Sequence, residues 1–332
     1  MMSKSKHIAS ENLRQILLKI SLVLILFSYS YVFAAGRTRA EFLRIDTGGR
    51  PAGMGGAFSA VSDDINSIFY NPAGLGWIEG TEVTFLHNAW LEGISQDYLA
   101  GTHNLGWGSI GVSINYFDLG EITGKASQID KPYSFTARQT AATLSLGGRI
   151  KTNMAVGTSL KLIQEKIENE NSSGWAVDFG IINQIDEYRF AVSAQNLGPK
   201  IKFIDEKEEI PTLFKFGIAR QLENLTIAFD VNVLLNSSLY NCFGVEYKLN
   251  NMLSLRAGYQ MDEDYDSNIG LTAGLGVLLG DYRLDYAYMP FGEIGITHRI
   301  SIIYSFGNYP VLNDFKSYSM NYDDWYSKYG TN

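Results

Sequence analysis

The sequence predicts a transmembrane antiparallel β-barrel of about fourteen strands, with its N-terminal segment held in the lumen as a hatch. Three observations predict it. Residues 81–306 alternate apolar and polar with period two rather than the 3.6 of a helix. The connections between strand segments alternate between very short and longer ones. A glycine-rich segment without strand character, residues 41–77, precedes the first strand.

The first element is residues 1–34. Lys4, Lys6, Arg14 and Lys19 precede an apolar run from Ile20 to Phe33, and Val32-Phe33-Ala34 stands where signal peptidase reads. This is the pattern of a secretory signal with a long n-region, cleaved after Ala34. The alternative is a membrane anchor helix. The run is about 14 residues, short of the ~20 a helical span needs, and Ser28 and Ser30 weaken it.

Residues 35–80 form the expected hatch. Its gating set is Gly48, Gly49, Arg50, Gly53, Gly55, Gly56, Asp63, Asp64, Asn71, Pro72 and Ala73. The glycines let backbone pass where a Cβ would clash. A short apolar helix is expected from Asp64 to Tyr70, and Pro72 ends it by forcing Asn71 into an extended conformation. The Asn71 amide can satisfy backbone groups left unpaired at that helix end. Only about 45 residues of mature chain precede Thr81, so the hatch is expected to stay near the periplasmic end, with Asn71-Pro72-Ala73 in that half. The plain alternative is an ordinary N-terminal loop.

Residues 81–306 form the barrel. Strand segments read as 81–90, 95–104, 107–117, 134–149, 152–167, 173–185, 187–197, 211–221, 223–234, 239–249, 251–260, 268–280, 281–289 and 295–306. The connections at one end, such as 105–106 and 150–151, have about two residues or fewer. Those at the other end reach about sixteen residues, at 118–133. Outer-membrane barrels show this asymmetry, with short periplasmic turns and longer outer loops. Leu225, Ile227, Phe229, Val231 and Val233 share one face of their strand, and Thr226, Asp230 and Asn232 the other. A soluble barrel would turn the apolar face inward. The polar set contains both signs (Asp230, Glu246, Lys248, Arg256, Arg283, Asp285, Arg299), which suits a wet lumen. The apolar set is rich in Tyr and Phe, which suits interfacial girdles. Residues 307–332 follow as an aromatic-rich tail, with Tyr309, Phe315, Tyr318, Tyr322, Trp325, Tyr326 and Tyr329. The tail reads as a disordered extension, a plug or a partner-binding segment.

Composition narrows the functions. Removing residues 1–34 takes away four basic residues and one acidic one, so the formal charge of −8 becomes about −11. Nucleic-acid binding needs a basic face and is excluded as a partner class. The single cysteine, Cys242, allows neither an internal disulfide nor a multi-thiolate zinc site. His87, His103 and His298 lie in or near different strands, with no Ser or Asp spacing that singles one out for catalysis. Asp262, Asp264 and Asp266 form a weak divalent-metal candidate without the glycine turn and terminal glutamate of an EF-hand. A solvated acidic loop is the plainer reading, and neither metal nor cofactor is assigned. No Gly-Lys-Ser/Thr follows the glycines of 48–56, so they are not a phosphate loop. Trp77, Trp90 and Trp107 read as interfacial anchors.

The stretch FLRIDTGGRPAGMGGAFSAVSDDINSIFYNPAGLGW, Phe42 to Trp77, resembles the N-terminal signature of the PorV/PorQ family of outer-membrane proteins, relatives of the FadL-type fatty-acid transporters. Asp46-Thr47-Gly48-Gly49-Arg50 departs from that family's usual pattern. The resemblance implies a bacterial outer-membrane location, a 14-stranded barrel and a hatch bearing the Asn-Pro-Ala motif. It implies passage of hydrophobic compounds. For the PorV branch it implies a part in type IX secretion. The functional expectation is a non-enzymatic conduit for hydrophobic compounds across the outer membrane. The alternative is a component of a type IX-like secretion or surface-attachment system, and the third reading is a barrel enzyme. Expected partners are outer-membrane lipid and lipopolysaccharide, hydrophobic small molecules, and secretion-system proteins.

Overall fold

The computed structural model describes residues 38–89, 93–124, 132–235, 239–262, 270–290 and 295–306. The expected signal segment 1–34, Trp90, Asp264, Asp266 and the tail 307–332 lie outside the described residues, as does the side chain of Asp262.

The strands are β1 (Thr81–Ala89), β2 (Ser95–Asn104), β3 (Ser109–Gly124), β4 (Tyr133–Lys151), β5 (Met154–Ile167), β6 (Glu170–Ile185), β7 (Tyr188–Leu197), β8 (Ile201–Phe203), β9 (Glu206–Glu208), β10 (Leu213–Leu222), β11 (Leu225–Leu234), β12 (Leu239–Lys248), β13 (Leu253–Asp262), β14 (Leu271–Leu279), β15 (Tyr282–Pro290) and β16 (Ile296–Phe306). Fourteen of them close an antiparallel barrel in chain order, with β7 paired to β10 and β1 to β16, while β8 and β9 form a separate hairpin. The closed ring leaves no sheet edge, which lipid demands of a spanning sheet.

Alternation sets the faces. Phe85, Leu99, Val112, Leu144, Leu160, Phe179, Phe243, Leu275 and Ile300 stand exposed on the outside. Thr84, Asn88, Gln96, Ser145, Ser159, Asp230, Glu246 and Asp285 are buried inside. Exposed apolar area this continuous marks a surface meant for a non-aqueous neighbour. β3, β4, β5 and β6 have 16, 19, 14 and 16 residues, so one wall rises above the rest. Its exposed outer residues turn polar toward the top, with Thr136 and Arg138 on β4 and Gln164 and Lys166 on β5.

The strand order agrees with the alternation, but three connections differ from expectation. β3 and β4 run to Gly124 and from Tyr133, so half of the loop expected at 118–133 is strand. β6 starts at Glu170, leaving only 168–169 as its turn from β5. The connection 198–210 contains the β8–β9 hairpin, whose Ile201 is buried against Gly174 of β6.

The N-terminal segment fills the lumen. It begins at the end with the longer connections, hereafter the loop end. Thr38 bridges Glu209 in parallel, and the Arg39 N–H donates to the Glu209 carbonyl at 2.8 Å. Arg39 also pairs with Glu208, and its guanidinium lies 4.7 Å from the Phe203 ring centre. The expectation that the whole hatch stays near the turn end is therefore wrong. Phe42 and Leu43 need an apolar seat, and they find it high in the tall wall.

Four short helical pieces follow. They are a 3-10 turn at Glu41–Arg44, a helical turn at Gly49–Gly53, another at Ser67–Tyr70, and a 3-10 stretch at Pro72–Trp77. The helix expected over Asp64–Tyr70 is shorter because the Asp64 side chain competes with it. Asp64 Oδ1 accepts from the Asn66 backbone N–H at 2.9 Å and from Asn66 Nδ2 at 2.8 Å, which holds a turn instead. The chain leaves the hatch at Gly80 and enters β1 at the turn end.

Candidate functional site

The site is the hatch and the lumen wall that holds it. At the loop end lies an apolar nest. Phe42 and Leu43 are buried there with Phe117 of β3, Ala141 of β4, Ile163 of β5 and Ala176 of β6. Ile201 and Ile210, from the connection carrying the β8–β9 hairpin, close it from the side. The Phe42 and Phe117 rings meet edge to face, with centroids 5.7 Å apart.

Below the nest the hatch packs on apolar clusters around Met54, Phe58 and Trp77 and around Ile65, Ile68 and Leu75, and a run of buried charge sets the register. Arg50 of the hatch grips Glu246 of β12 with two bonds of 2.9 Å, and donates to Asp64 at 2.8 Å and to Asp63. Glu246 also takes Arg256 of β13 at 2.6 Å, and Arg256 takes Asp285 of β15 at 2.8 Å. Asp285 takes Arg283 at 3.0 Å, and Arg283 returns to Asp64. The result is a closed ring of alternating sign: Asp64, Arg50, Glu246, Arg256, Asp285, Arg283. Hatch and wall each contribute both signs.

Burial alone would lower the basicity of Arg50, but Asp63, Glu246 and Asp64 hold it charged, well above its ordinary range. Burial alone would raise the Asp64 carboxyl, but Arg283 and Arg50 together hold it down at about 2. Such pairs rarely add net stability over an apolar core, yet breaking one side of them is costly. The ring therefore acts as a latch whose register is specific.

Polar side chains fasten the remaining hatch backbone. Asp230 accepts from the N–H groups of Phe58 and Ser59 at 3.0 and 2.9 Å. Arg299 donates to the Asp46 carbonyl at 3.0 Å, and the Gly49 N–H donates to Ser301 Oγ at 2.9 Å. Asn71, fully buried, accepts from the Ala73 N–H at 3.1 Å and donates to the Ser59 carbonyl at 3.2 Å. Gln195 donates to the carbonyls of Phe69 and Tyr70 at 2.8 and 2.7 Å. Burial pushes the Tyr70 phenol up, and the nearby Asp46 adds to the shift.

The lumen face also carries notches. Gly147, Gly157 and Gly180 take the backbone or amide of Asn71-Pro72-Ala73, and Gly111 takes Ile68. Gly217, Gly244, Gly258 and Gly274 take Ala60, Met54, Gly55 and Gly53. A Cβ on any of these eight glycines would stand 3.0 Å or less from a hatch atom. Each notch lies on a different strand, and glycine inside a strand is the signature of close backbone approach.

Of the residues named from sequence, Gly49, Arg50, Gly53, Gly55, Asp63, Asp64, Asn71, Pro72 and Ala73 all meet the wall or the ring. Gly48 instead faces the hatch's own Asn66, and Gly56 lies between the hatch's Asp46 and the Cys242 thiol of β12. Glu246, Arg256, Arg283 and Asp285 converge on the ring. Asp230 and Arg299 hold hatch backbone elsewhere, and Lys248 lines the open vestibule at the turn end. The charged set was expected to pair across a wet lumen, but apart from Lys248 it engages the hatch or the ring.

Trp77 is a second correction. It is 3% exposed inside the lumen, with the Arg189 guanidinium 4.8 Å from its ring centre, and is not an interfacial anchor. Trp107, at the turn end, is 65% exposed. The histidines do not assemble a site. His87 pairs with Asp97, His298 with Tyr286 and His103 with Thr81, all on exposed positions. Among the described residues no cluster of three or more metal-binding side chains occurs.

Arg189, Gln195, Ser301 and the glycine notches were not singled out from sequence. The glycines had a legible signal, since each interrupts an otherwise β-prone strand.

A model of an uncharacterised protein family, UPF0164, matches residues 31–197, half of the chain. The chain belongs to UPF0164. The part of the sequence that defines UPF0164 here includes the hatch and β1 to β7. No curated protein sequence gives a significant match.

Among solved structures this UPF0164 chain is similar to the CymD monoaromatic hydrocarbon channel, with a TM-score of 0.58 at 13% identity over 80% of this chain and 98% of that one. It is similar to the Ralstonia pickettii toluene transporter TbuX, with a TM-score of 0.54 at 14% identity over 78% and 97%. It is also similar to a Pseudomonas aeruginosa FadL homologue, with a TM-score of 0.54 at 11% identity over 79% and 98%. Identities this low establish the fold, a FadL-like 14-stranded barrel, and not the cargo.

Proposed function

We propose that the protein is a conduit for hydrophobic compounds in a bacterial outer membrane, of the PorV/PorQ kind that the Phe42–Trp77 signature resembles. The apolar nest carries this reading. Apolar side chains are gathered where a solute from outside would first arrive, and further apolar clusters follow along the hatch below them. A solute would exchange with Phe42 in the nest, pass the hatch and leave through the vestibule at the turn end. The outer apolar belt fits lipid, and the loop end would face lipopolysaccharide. Proteins of this fold named as channels and transporters support the reading by analogy.

Vesicles holding the refolded protein are expected to take up the apolar dye N-phenyl-1-naphthylamine faster than empty vesicles. Ile163→Asp puts a charge in the nest. It should slow uptake roughly ten- to hundred-fold, the equivalent of losing one buried aliphatic contact. Uptake equal to that of empty vesicles would remove the conduit.

A second reading is a non-enzymatic part of a type IX-like secretion or surface-attachment system. The tall wall of β3–β6, whose outer face turns polar above the apolar belt, favours it as a docking ledge. Mass spectrometry of native co-purified material separates the two. Bound apolar small molecules without a protein partner support the conduit, and a stoichiometric protein partner supports docking.

Both readings set the loop end outside. In a Cys242→Ser background, a cysteine at Asp205, between β8 and β9, should react with an impermeant maleimide on intact cells. A cysteine at Asn250, between β12 and β13, should not. The reverse pattern would invert the barrel.

A further inference from the structure

Among the described residues six carboxylates are buried inside the barrel: Asp64, Glu165, Asp178, Asp230, Glu246 and Asp285. Five of them are compensated. Asp64, Glu246 and Asp285 sit in the charge ring, and Asp178 holds the Lys161 ammonium at 2.8 Å. Asp230 accepts two backbone N–H groups of the hatch.

Glu165 of β5 differs. It is 2% exposed, yet its hydrogen bonds come from neutral side chains, Gln139 Nε2 of β4 at 2.8 Å and Ser172 Oγ of β6 at 3.3 Å. No described Arg, Lys or His forms an ion pair with it. A buried carboxylate without a cation bears a desolvation cost that a cation arriving with a solute would offset.

The place of Glu165 says which solute that is. Register sets Glu165 opposite Gln139, and Gln139 opposite Phe117. Phe117 and Glu165 are thus two strands apart on one lumen row, on the order of 10 Å at the usual strand spacing. The next row toward the turn end carries Ala141 and Ile163 of the apolar nest, so Glu165 forms the upper lip of that nest. Phe42 meets Phe117 there from the hatch side. Aromatic rings on one side, a carboxylate on the other and aliphatic carbon beneath are the contacts an apolar organic cation takes, since ring faces attract alkylated ammonium groups. An anion finds no such match. Lys161, the cation below Ile163, is held by Asp178 and donates to Asn196 Oδ1 at 2.7 Å.

We propose that Glu165 is the head-group site of the conduit and selects apolar solutes bearing a cationic nitrogen over those bearing an anion. The selection rests on the conduit reading: the apolar body of the solute replaces Phe42 in the nest, and its cation pairs with Glu165 while Gln139 and Ser172 hold the carboxylate in place.

Benzyltrimethylammonium and benzenesulfonate are aromatic ions with permanent charges of opposite sign. Each is added outside phosphatidylcholine vesicles carrying the protein, in competition with N-phenyl-1-naphthylamine. The cation is expected to halve dye uptake at a concentration at least about tenfold below that of the anion, the effect of one charge-assisted contact. In Glu165→Gln the two ions should compete alike, whereas Glu165→Asp keeps the charge and should keep a preference. Equal competition in the wild type, or a preference that survives Glu165→Gln, overturns the proposal. If Glu165→Gln does not assemble, the wild-type comparison decides alone. Calorimetry on the protein in a neutral detergent reads cation binding without transport. Dye uptake with no cation preference removes the head-group site and keeps the conduit. Cation binding that Glu165→Gln abolishes, without dye uptake, does the reverse.

Discussion

Arg50→Met is expected to release the hatch while the strands stay closed. Methionine keeps much of the length but leaves Asp63, Asp64 and Glu246 without the cation they share. Removing one partner of a buried ion pair costs about 3–5 kcal/mol. The loss falls on docking of the hatch, because Arg256 still bridges Glu246 to Asp285 within the wall. Exchange protection across 49–64 should collapse, and dye permeability should rise. Heat-modifiable migration on gels, the mark of an intact barrel, should survive. Loss of the barrel itself would mean that the ring holds the strands together rather than the hatch.

The same ring sets a pH response. Asp64 sits at about 2 in the docked hatch, below the ~3.9 of a free aspartate. A carboxyl depressed in this way contributes fully above its unfolded value, and the contribution is lost as pH falls through the folded one. The Asp64 share of hatch protection should therefore be lost between roughly pH 4 and pH 2. In Arg50→Met, Asp64 keeps only Arg283, so any remaining protection should fall at higher pH.

Gly157→Val is the second large effect expected. A Cβ there would overlap the Pro72 carbonyl and the Ala73 nitrogen, which are backbone and cannot turn aside. Overpacking a tight interior costs about 1–3 kcal/mol even when side chains can yield, and more is expected against backbone. Valine meanwhile suits a strand better than glycine does. The barrel should thus keep or gain stability while protection of 68–77 is lost. Gly101→Val is the control. Its added Cβ would meet nothing closer than 3.9 Å, so hatch protection should not change. Equal loss in both variants would trace the effect to the strands and not to the notch.

Much of the fold was legible because alternation is a local signal repeated many times. Leu225, Ile227 and Phe229 set against Thr226 and Asp230 fix both the strand and its inward face. The upper part of β3, Asp118–Gly124, was read as loop because Asp118, Gly120, Glu121 and Gly124 break the apolar alternation. The β8–β9 hairpin was missed because three-residue strands amid Lys202, Glu206, Lys207 and Glu208 carry no period.

The site was legible in part. Arg50, Asp64 and Asn71 stood out as polar residues in a glycine-rich segment, and Glu246, Arg256 and Arg283 as charges on otherwise apolar strands. That they form one ring depends on register across the barrel, which no local pattern encodes. Trp77 was misplaced because its neighbours resemble those of a membrane anchor until Arg189, more than a hundred residues later, is brought over its ring.

The bonds from Gly49 to Ser301 and from Asp46 to Arg299 join the start of the hatch to the last strand of the barrel. They carry a consequence for biogenesis. The hatch is synthesised first, yet its docking surface is complete only when β16 arrives. A plug keyed into notches on eight different strands cannot be pushed axially into a finished cylinder without passing side chains it does not fit. The expected order is that the sheet curls around the hatch and the β1–β16 seam seals last. A chain truncated before β16 would then leave the hatch as open to protease as the unpaired edge strands beside it.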